Sequence, residues 1–182
     1  AGPGVDLVFD LDRCGHFPSL SFHCDQRARM PVETADCVLA SHVLEHITNL
    51  IPLMREIHRV LRPGGHLIAV TPYASSDDAV EDPTHVRFFT EKSWYYFDRR
   101  LYDTPGHAGS YNSPVDFCFD VVNVQLIPYQ DVLDSLTLNG VLDHKMLDIW
   151  KRQYRNVIRE MIAVLRKGGV DGIDQSGQSS GG

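Results

Sequence analysis

The densest group of chemistry-bearing side chains is His42-Val43-Leu44-Glu45-His46, two imidazoles around one carboxylate. On a continuous helix, the H-x-x-E-H spacing sets both histidines on one face, where they could bind zinc while the glutamate activates water. Here the motif directly follows the apolar run Asp36-Cys37-Val38-Leu39-Ala40, and Thr48-Asn49 and Pro52 interrupt what comes after it. Zinc is therefore disfavoured, and hydrogen bonding within the fold is the expected role of Glu45 and His46. A second group, Asp82-Pro83-Thr84-His85, sets a carboxylate beside an imidazole in a polar stretch. It could carry a general base, or it could be a loop held by an aspartate turn. Asp10, Asp12 and Asp25 form a third set, near the ends of short apolar runs, where a carboxylate contacts a ligand or caps a turn. Neither G-x-S-x-G nor G-x-x-x-x-G-K occurs, so hydrolase and nucleoside-triphosphatase readings have no support.

A sheet is needed to place these groups. Val5–Phe9 and Leu20–Cys24 read as strands, and the more continuously apolar Asp36–Ala40 as a central parallel strand covered on both faces. From Thr48 the period becomes helical through Ile51, Met54, Ile57, His58 and Leu61, with Thr48 or Asn49 as cap and Pro52 in the tolerant first turn. Pro63-Gly64-Gly65 ends this helix, with Gly65 expected in the left-handed conformation, and His66–Val70 follows as a buried strand stopping at Thr71-Pro72. Strand, helix, strand at this length argues for a parallel sheet, with ligands bound outside the carboxyl ends of the strands. The loops after Asp10, Asp25, Ser41 and Pro72 then face one crevice.

A polar loop spans 73–90, and Glu91–Leu101 reads as an aromatic helix capped by Thr90, with Trp94, Tyr95, Tyr96 and Phe97 more suited to the core than to an acceptor pocket. After an irregular stretch over 102–114, Val115–Ile127 alternates as a long strand and Lys145–Val157 has helical spacing. Arg159–Lys167 could extend that helix. A final strand, antiparallel to Val115–Ile127, is favoured. Residues 1–167 then form one domain, and the Gly, Ser and Gln of 168–182 read as a flexible tail.

The length of 182 residues suits one core, and the net charge of −7 disfavours a generic binder of nucleic-acid backbone. No apolar run of about 18 residues is present and the N-terminus lacks a basic segment before an apolar one, so no membrane span is expected and the location is read as cytoplasmic. Cys14, Cys24, Cys37 and Cys118 include no C-x-x-C pair and look like reduced core residues.

The run Val43-Leu44-Glu45-His46, a helix, then Val60-Leu61-Arg62-Pro63-Gly64-Gly65 and an apolar strand resembles strand four, its helix and strand five of class I S-adenosylmethionine-dependent methyltransferases. Asp82-Pro83-Thr84-His85 followed by an aromatic helix is similar to a bacterial subgroup of that family, and the two matches span about Val5–Tyr96. The resemblance implies a Rossmann-like α/β fold, its mostly parallel sheet carrying an antiparallel edge. It also implies methyl transfer from S-adenosylmethionine to an unidentified acceptor. Ser41 and His42 would lie beside the cofactor, the 82–85 loop would cover the acceptor, and His42 or His85 would be the base where one is needed. Asp10, Asp12 and Asp25 are cofactor candidates, Phe9-Asp10-Leu11-Asp12 reading as strand two, facing the ribose, or as strand three, facing the adenine. Some class I O-methyltransferases hold a divalent ion with acidic and histidine residues in this region, which keeps Glu45 and His46 as lesser candidates. No metal is expected here.

One departure stands out: the D-x-G-x-G-x-G loop after strand one is missing, since Ala1-Gly2-Pro3-Gly4 runs straight into a strand. The chain thus reads as N-terminally truncated, either as a fragment or as a natural product whose initiator methionine is removed before Ala1. The alternative function is a catalytically inactive structural or interaction subunit, for example of a viral particle or multiprotein complex, with a protein partner or a second copy of itself.

Overall fold

The computed structural model describes Leu11, residues 32–98 and residues 117–168. The strand candidates Val5–Phe9 and Leu20–Cys24 and the tail from 169 onward lie outside the described residues. In chain order the elements are β1 (Ala35–Ser41), a 3-10 turn (Leu44–His46), α1 (Leu50–Val60), β2 (Leu61–Pro72), α2 (Asp77–Val80), α3 (Glu91–Tyr95), β3 (Phe119–Pro128), α4 (Gln130–Leu136), β4 (Thr137–Leu138), β5 (Val141–Leu142), α5 (His144–Gln153) and β6 (Ile158–Lys167).

Alternation builds the sheet. Leu67, Ala69 and Thr71 of β2 lie opposite Leu165, Ala163 and Met161 of β6, and all six are buried. A period of two in both strands puts these side chains on one face, and a register slip of one residue would expose the set. The strand order is β1-β2-β6-β3, with β1 parallel to β2 and both β6 pairings antiparallel. The segment at 159–167 is thus the final strand, paired with the long strand expected before it. The antiparallel edge is in place, while any further parallel strands fall outside the described residues.

α1 packs against β2. Leu50, Leu53, Met54, Ile57 and Val60 recur at helical spacing and are buried, the first four in the same core as Leu67 and Leu165. Five such side chains contribute on the order of 10 kcal/mol, which outweighs the ~1 kcal/mol forgone because Asn49 makes no side-chain cap. The buried stripe is rotated from the expected one, because Ile51 and His58 are only half-buried while Leu53 and Glu56 turn inward. Glu56 tolerates this because Arg59 Nε donates to its Oε2 at 2.9 Å.

Three further expectations need correction. The face of β1 that Cys37 and Leu39 share is open rather than covered among the described residues, with Leu39 67% exposed and Cys37 exposed. Cys37 is exposed and Cys118 half-buried, so neither is a core residue, and Cys14 and Cys24 lie outside the described residues. The aromatic helix ends at Tyr95, and Tyr96 is exposed, whereas Trp94 is buried and stacks on Phe89 with centroids 5.1 Å apart. The sequence reading also passed over α4 and the small β4–β5 hairpin. Its turn, Asn139-Gly140 with φ of 51° and 78°, is a strong local hairpin signal.

The turn into β2 assigns its two glycines different jobs. The register jumps from Ala35↔Leu61 to Cys37↔His66, so Arg62–Gly65 bulge out of the pairing. Gly64, not Gly65, holds the positive φ, at +78°, with open space around a would-be Cβ. At Gly65 a Cβ would stand 2.9 Å from the Arg62 carbonyl oxygen and 3.1 Å from those of Ala35 and Asp36. Gly64→Ala should therefore cost about 1 kcal/mol through backbone strain, and Gly65→Ala about 2–3 kcal/mol because backbone must move. Thermal unfolding checks the order, at roughly 3 °C per kcal/mol for this size; equal shifts, or a larger one for Gly64→Ala, would contradict the packing described.

Candidate functional site

The carboxyl end of β1 sets the site. His42 is an L-residue with φ of 52°, a conformation costing about 1–2 kcal/mol, and its N–H still donates to the Val70 carbonyl at 2.9 Å. The chain therefore turns sharply while remaining tied to β2. Ser41 and His42 are left exposed at the strand end. The His42 ring stands between two carboxylates, Nδ1 at 3.5 Å from Glu45 Oε1 and Nε2 at 3.2 Å from Glu160 Oε2.

The 3-10 turn that follows buries Leu44 and Glu45. Glu45 is 1% exposed, and neither of its carboxylate oxygens has a hydrogen-bond partner. Its backbone carbonyl accepts from the N–H groups of Val86 at 2.9 Å and Arg87 at 3.1 Å. Arg87 completes the staple, Nε donating to the Ile47 carbonyl at 2.7 Å and Nη2 to that of Thr48. The two motifs singled out in the sequence are thus one site.

Asp82 organises the loop itself. Its Oδ1 accepts from the Thr84 hydroxyl at 2.6 Å and the Thr84 N–H at 2.8 Å, an aspartate turn. The hydroxyl bond first, then the backbone bond and the neighbouring His85 and His46, holds the Asp82 carboxyl below the usual carboxylate range. His46 Nδ1 lies 2.9 Å from Thr84 Oγ1 and 3.3 Å from the Thr84 carbonyl, and His85 Nδ1 lies 3.0 Å from the Ala79 carbonyl. The two rings meet edge to face at 4.7 Å. One ligand atom from each of Glu45, His46 and His85 falls within 4.8 Å of the others.

Of the residues expected at the site, Ser41, His42 and His85 come together at this end of the sheet, while Asp10, Asp12 and Asp25 lie outside the described residues. Sequence reasoning missed Glu160 and the anchoring role of Thr84. Glu160 carries no local signal, since it reaches His42 only through the antiparallel pairing Pro72↔Glu160. Thr84 was legible in principle as the second residue after an aspartate. A separate cleft of about 340 Å³, lined by Val132, Trp150, Tyr154, Arg155, Asn156 and Val157, contains none of these residues.

A sheet with strand-end loops gathered over its carboxyl edge, and an antiparallel strand pair at its far side, is the Rossmann-like α/β architecture of class I methyltransferases. Residues 2–113, more than half of the chain, match the family model described as a methyltransferase domain, and the protein belongs to that family. Among solved structures, it is similar to a SAM-dependent methyltransferase from Archaeoglobus fulgidus, at 14% identity over 76% of this chain and 62% of that one, TM-score 0.49. It is also similar to a structure of the Haloferax volcanii Trm112 methyltransferase activator with the putative methyltransferase, at 10% identity over 77% and 57%, TM-score 0.45. A third, an S-adenosylmethionine-dependent methyltransferase from Mesorhizobium loti, shares 16% identity over 87% and 67%, TM-score 0.40. The chain therefore spans about six-tenths of the first two. No curated protein matches. Among the described residues, no helix is long and apolar enough to cross a membrane.

The far end of the 73–90 loop is pinned by charge. Tyr73 OH donates to Glu91 Oε2 at 2.8 Å, and Lys151 Nζ on α5 to Glu91 Oε1 at 2.6 Å. Burial alone would raise the Glu91 carboxyl, but the bonds from Lys151, the backbone and Tyr73 outweigh it and hold it below the usual range. A carboxyl depressed in the folded state stabilises above its unfolded value, about 4.3, and loses that contribution as pH falls through the depressed value. The melting temperature should therefore fall from about pH 5 downward, and less steeply in Glu91→Gln; parallel curves for the two proteins would remove Glu91 from the account.

Proposed function

We propose that this protein is an S-adenosylmethionine-dependent methyltransferase whose cofactor lies across the strand end at Ser41 and His42, with the 82–87 loop on the acceptor side. The observation that carries this reading is the left-handed turn at His42, which leaves Ser41 and His42 open at the carboxyl end of a parallel strand while tying the chain to β2. That is where ligands bind in open α/β sheets. The described residues thus suit one flank of the cofactor, and Asp10, Asp12 and Asp25 are proposed for the other. The cofactor supplies a methyl group activated by its sulfonium charge. The protein's contribution is then to position the acceptor, exclude water and take up a proton where the acceptor must lose one.

His42 is the better-placed base. Its ring is half exposed, and each nitrogen faces a carboxylate. One carboxylate can orient the ring and stabilise the imidazolium while the other nitrogen receives the proton. His85 is 8% exposed with Nδ1 committed to the Ala79 carbonyl, so only Nε2 is offered to the acceptor side. The acceptor is proposed to be small or weakly charged, in keeping with the net charge of −7.

Calorimetric titration of S-adenosylmethionine into the protein, in the full length its gene encodes, tests the reading. A dissociation constant in the micromolar range, about −8 kcal/mol, is expected, weakened about tenfold in Asp25→Asn by the loss of a charged hydrogen bond. Absence of binding would overturn the enzyme reading in favour of an inactive methyltransferase-like subunit.

A further inference from the structure

We propose that Glu45, His46 and His85 form a binding site for a divalent metal ion of the zinc type. Glu45 supplies the first reason. A carboxylate 1% exposed with both oxygens lacking hydrogen bonds is costly, and buried charges are ordinarily paired or bound to metal. The His42 ring stands 3.5 Å from it, beyond a short ion pair, and faces Glu160 at the shorter distance of 3.2 Å.

The histidines supply the second reason. A carbonyl oxygen only accepts, so the Ala79 carbonyl at 3.0 Å requires a hydrogen on His85 Nδ1 and leaves the Nε2 lone pair as the ring's donor to a metal. His46 is fixed the same way. The Thr84 hydroxyl spends its one hydrogen on Asp82, so its oxygen and the Thr84 carbonyl both accept from His46 Nδ1, again leaving Nε2. A histidine whose distal nitrogen is held by a carbonyl or by a relay to a carboxylate is the usual outer shell of a metal ligand. Asp82, 3.8 Å from His85 Nε2, stays in that outer shell through its two bonds from Thr84.

The separations suit a small contraction. Ligand atoms within 4.8 Å of one another must close to about 3.4 Å around a tetrahedral ion with bonds near 2.0–2.1 Å. Two imidazoles and one carboxylate favour zinc over magnesium, and three protein ligands leave a fourth position open. With Nε2 of His85 on the metal, His42 remains as the base of the proposed reaction. The site stands without that reaction, because its test involves no S-adenosylmethionine.

The full protein, stripped with a chelator, is titrated with Zn²⁺ against a chromogenic competitor and with Co²⁺ by visible absorption. One equivalent should bind, with the d–d bands of a four- or five-coordinate Co²⁺, and Mg²⁺ should not displace it. His85→Gln and Glu45→Gln should abolish the bands, and Thr84→Val should weaken affinity about 10- to 100-fold through the outer shell. His144→Ala, at an exposed histidine on α5, should change nothing. Thermal melts of the metal-free variants show which are folded. Failure of the parent protein to bind, displacement by Mg²⁺, or unchanged binding in a folded His85→Gln or Glu45→Gln would each overturn the site.

Discussion

β6 hydrogen-bonds on both of its sides, to β2 and to β3, and the rest of the described structure depends on that insertion. It completes the buried face formed by Leu67, Ala69, Leu165, Ala163 and Met161, which α1 helps to cover. It also satisfies the backbone of β2 on the side that β1 does not reach. Lys167, at its end, donates to the Leu61 carbonyl at 2.8 Å and to Glu33 at 3.2 Å, tying the last strand to the entry of β2. The opposite end delivers Glu160 to His42.

Around that frame the two loops at the strand ends are joined by backbone rather than by chance contacts of side chains. The Glu45 carbonyl receives two N–H groups from the 82–87 loop, and the Arg87 side chain reaches the carbonyls of Ile47 and Thr48 just after the turn. The strain of a left-handed His42 persists because the strand before it and the turn after it are both fixed. The polar groups of the site are consequently held in one arrangement: Asp82 orders Thr84, Thr84 orders His46, and the edge-on His46–His85 contact packs the two rings together. A buried Glu45 is tolerable only in such a place, and its oxygens, which accept no hydrogen bond, mark the point where this network is chemically incomplete.

Membership of the methyltransferase family leaves the particular residues to be argued from geometry. The H-x-x-E-H motif illustrates the difference. Its spacing suggests a helical pair of histidines, yet the fold uses a 3-10 turn, and the first histidine faces Glu160 while the second pairs with a histidine from another loop. The motif thus puts Glu45 and His46 in a group with His85, which no helical reading would supply.

Local periodicity determined most element types: the apolar run at 36–40, the helix before Pro63-Gly64-Gly65 and the alternating strand before Pro128 are legible along the chain, whereas 159–167 reads as helix or strand until its pairing with β2 and β3 decides it. The family was legible too, from the residues around Glu45 and Gly65. Periodicity reports which face of an element is apolar, and it carries no information about what lies beside that element. Tertiary structure therefore decided that Cys37 and Leu39 are exposed on β1, that Gly64 rather than Gly65 takes the left-handed turn, and that Glu160 meets His42. It also decided that the motif at 42–46 and the loop at 82–87 are one site, because that union rests on hydrogen bonds between residues some 40 positions apart. Contacts of such separation form only when the sheet brings both strand ends to the same edge.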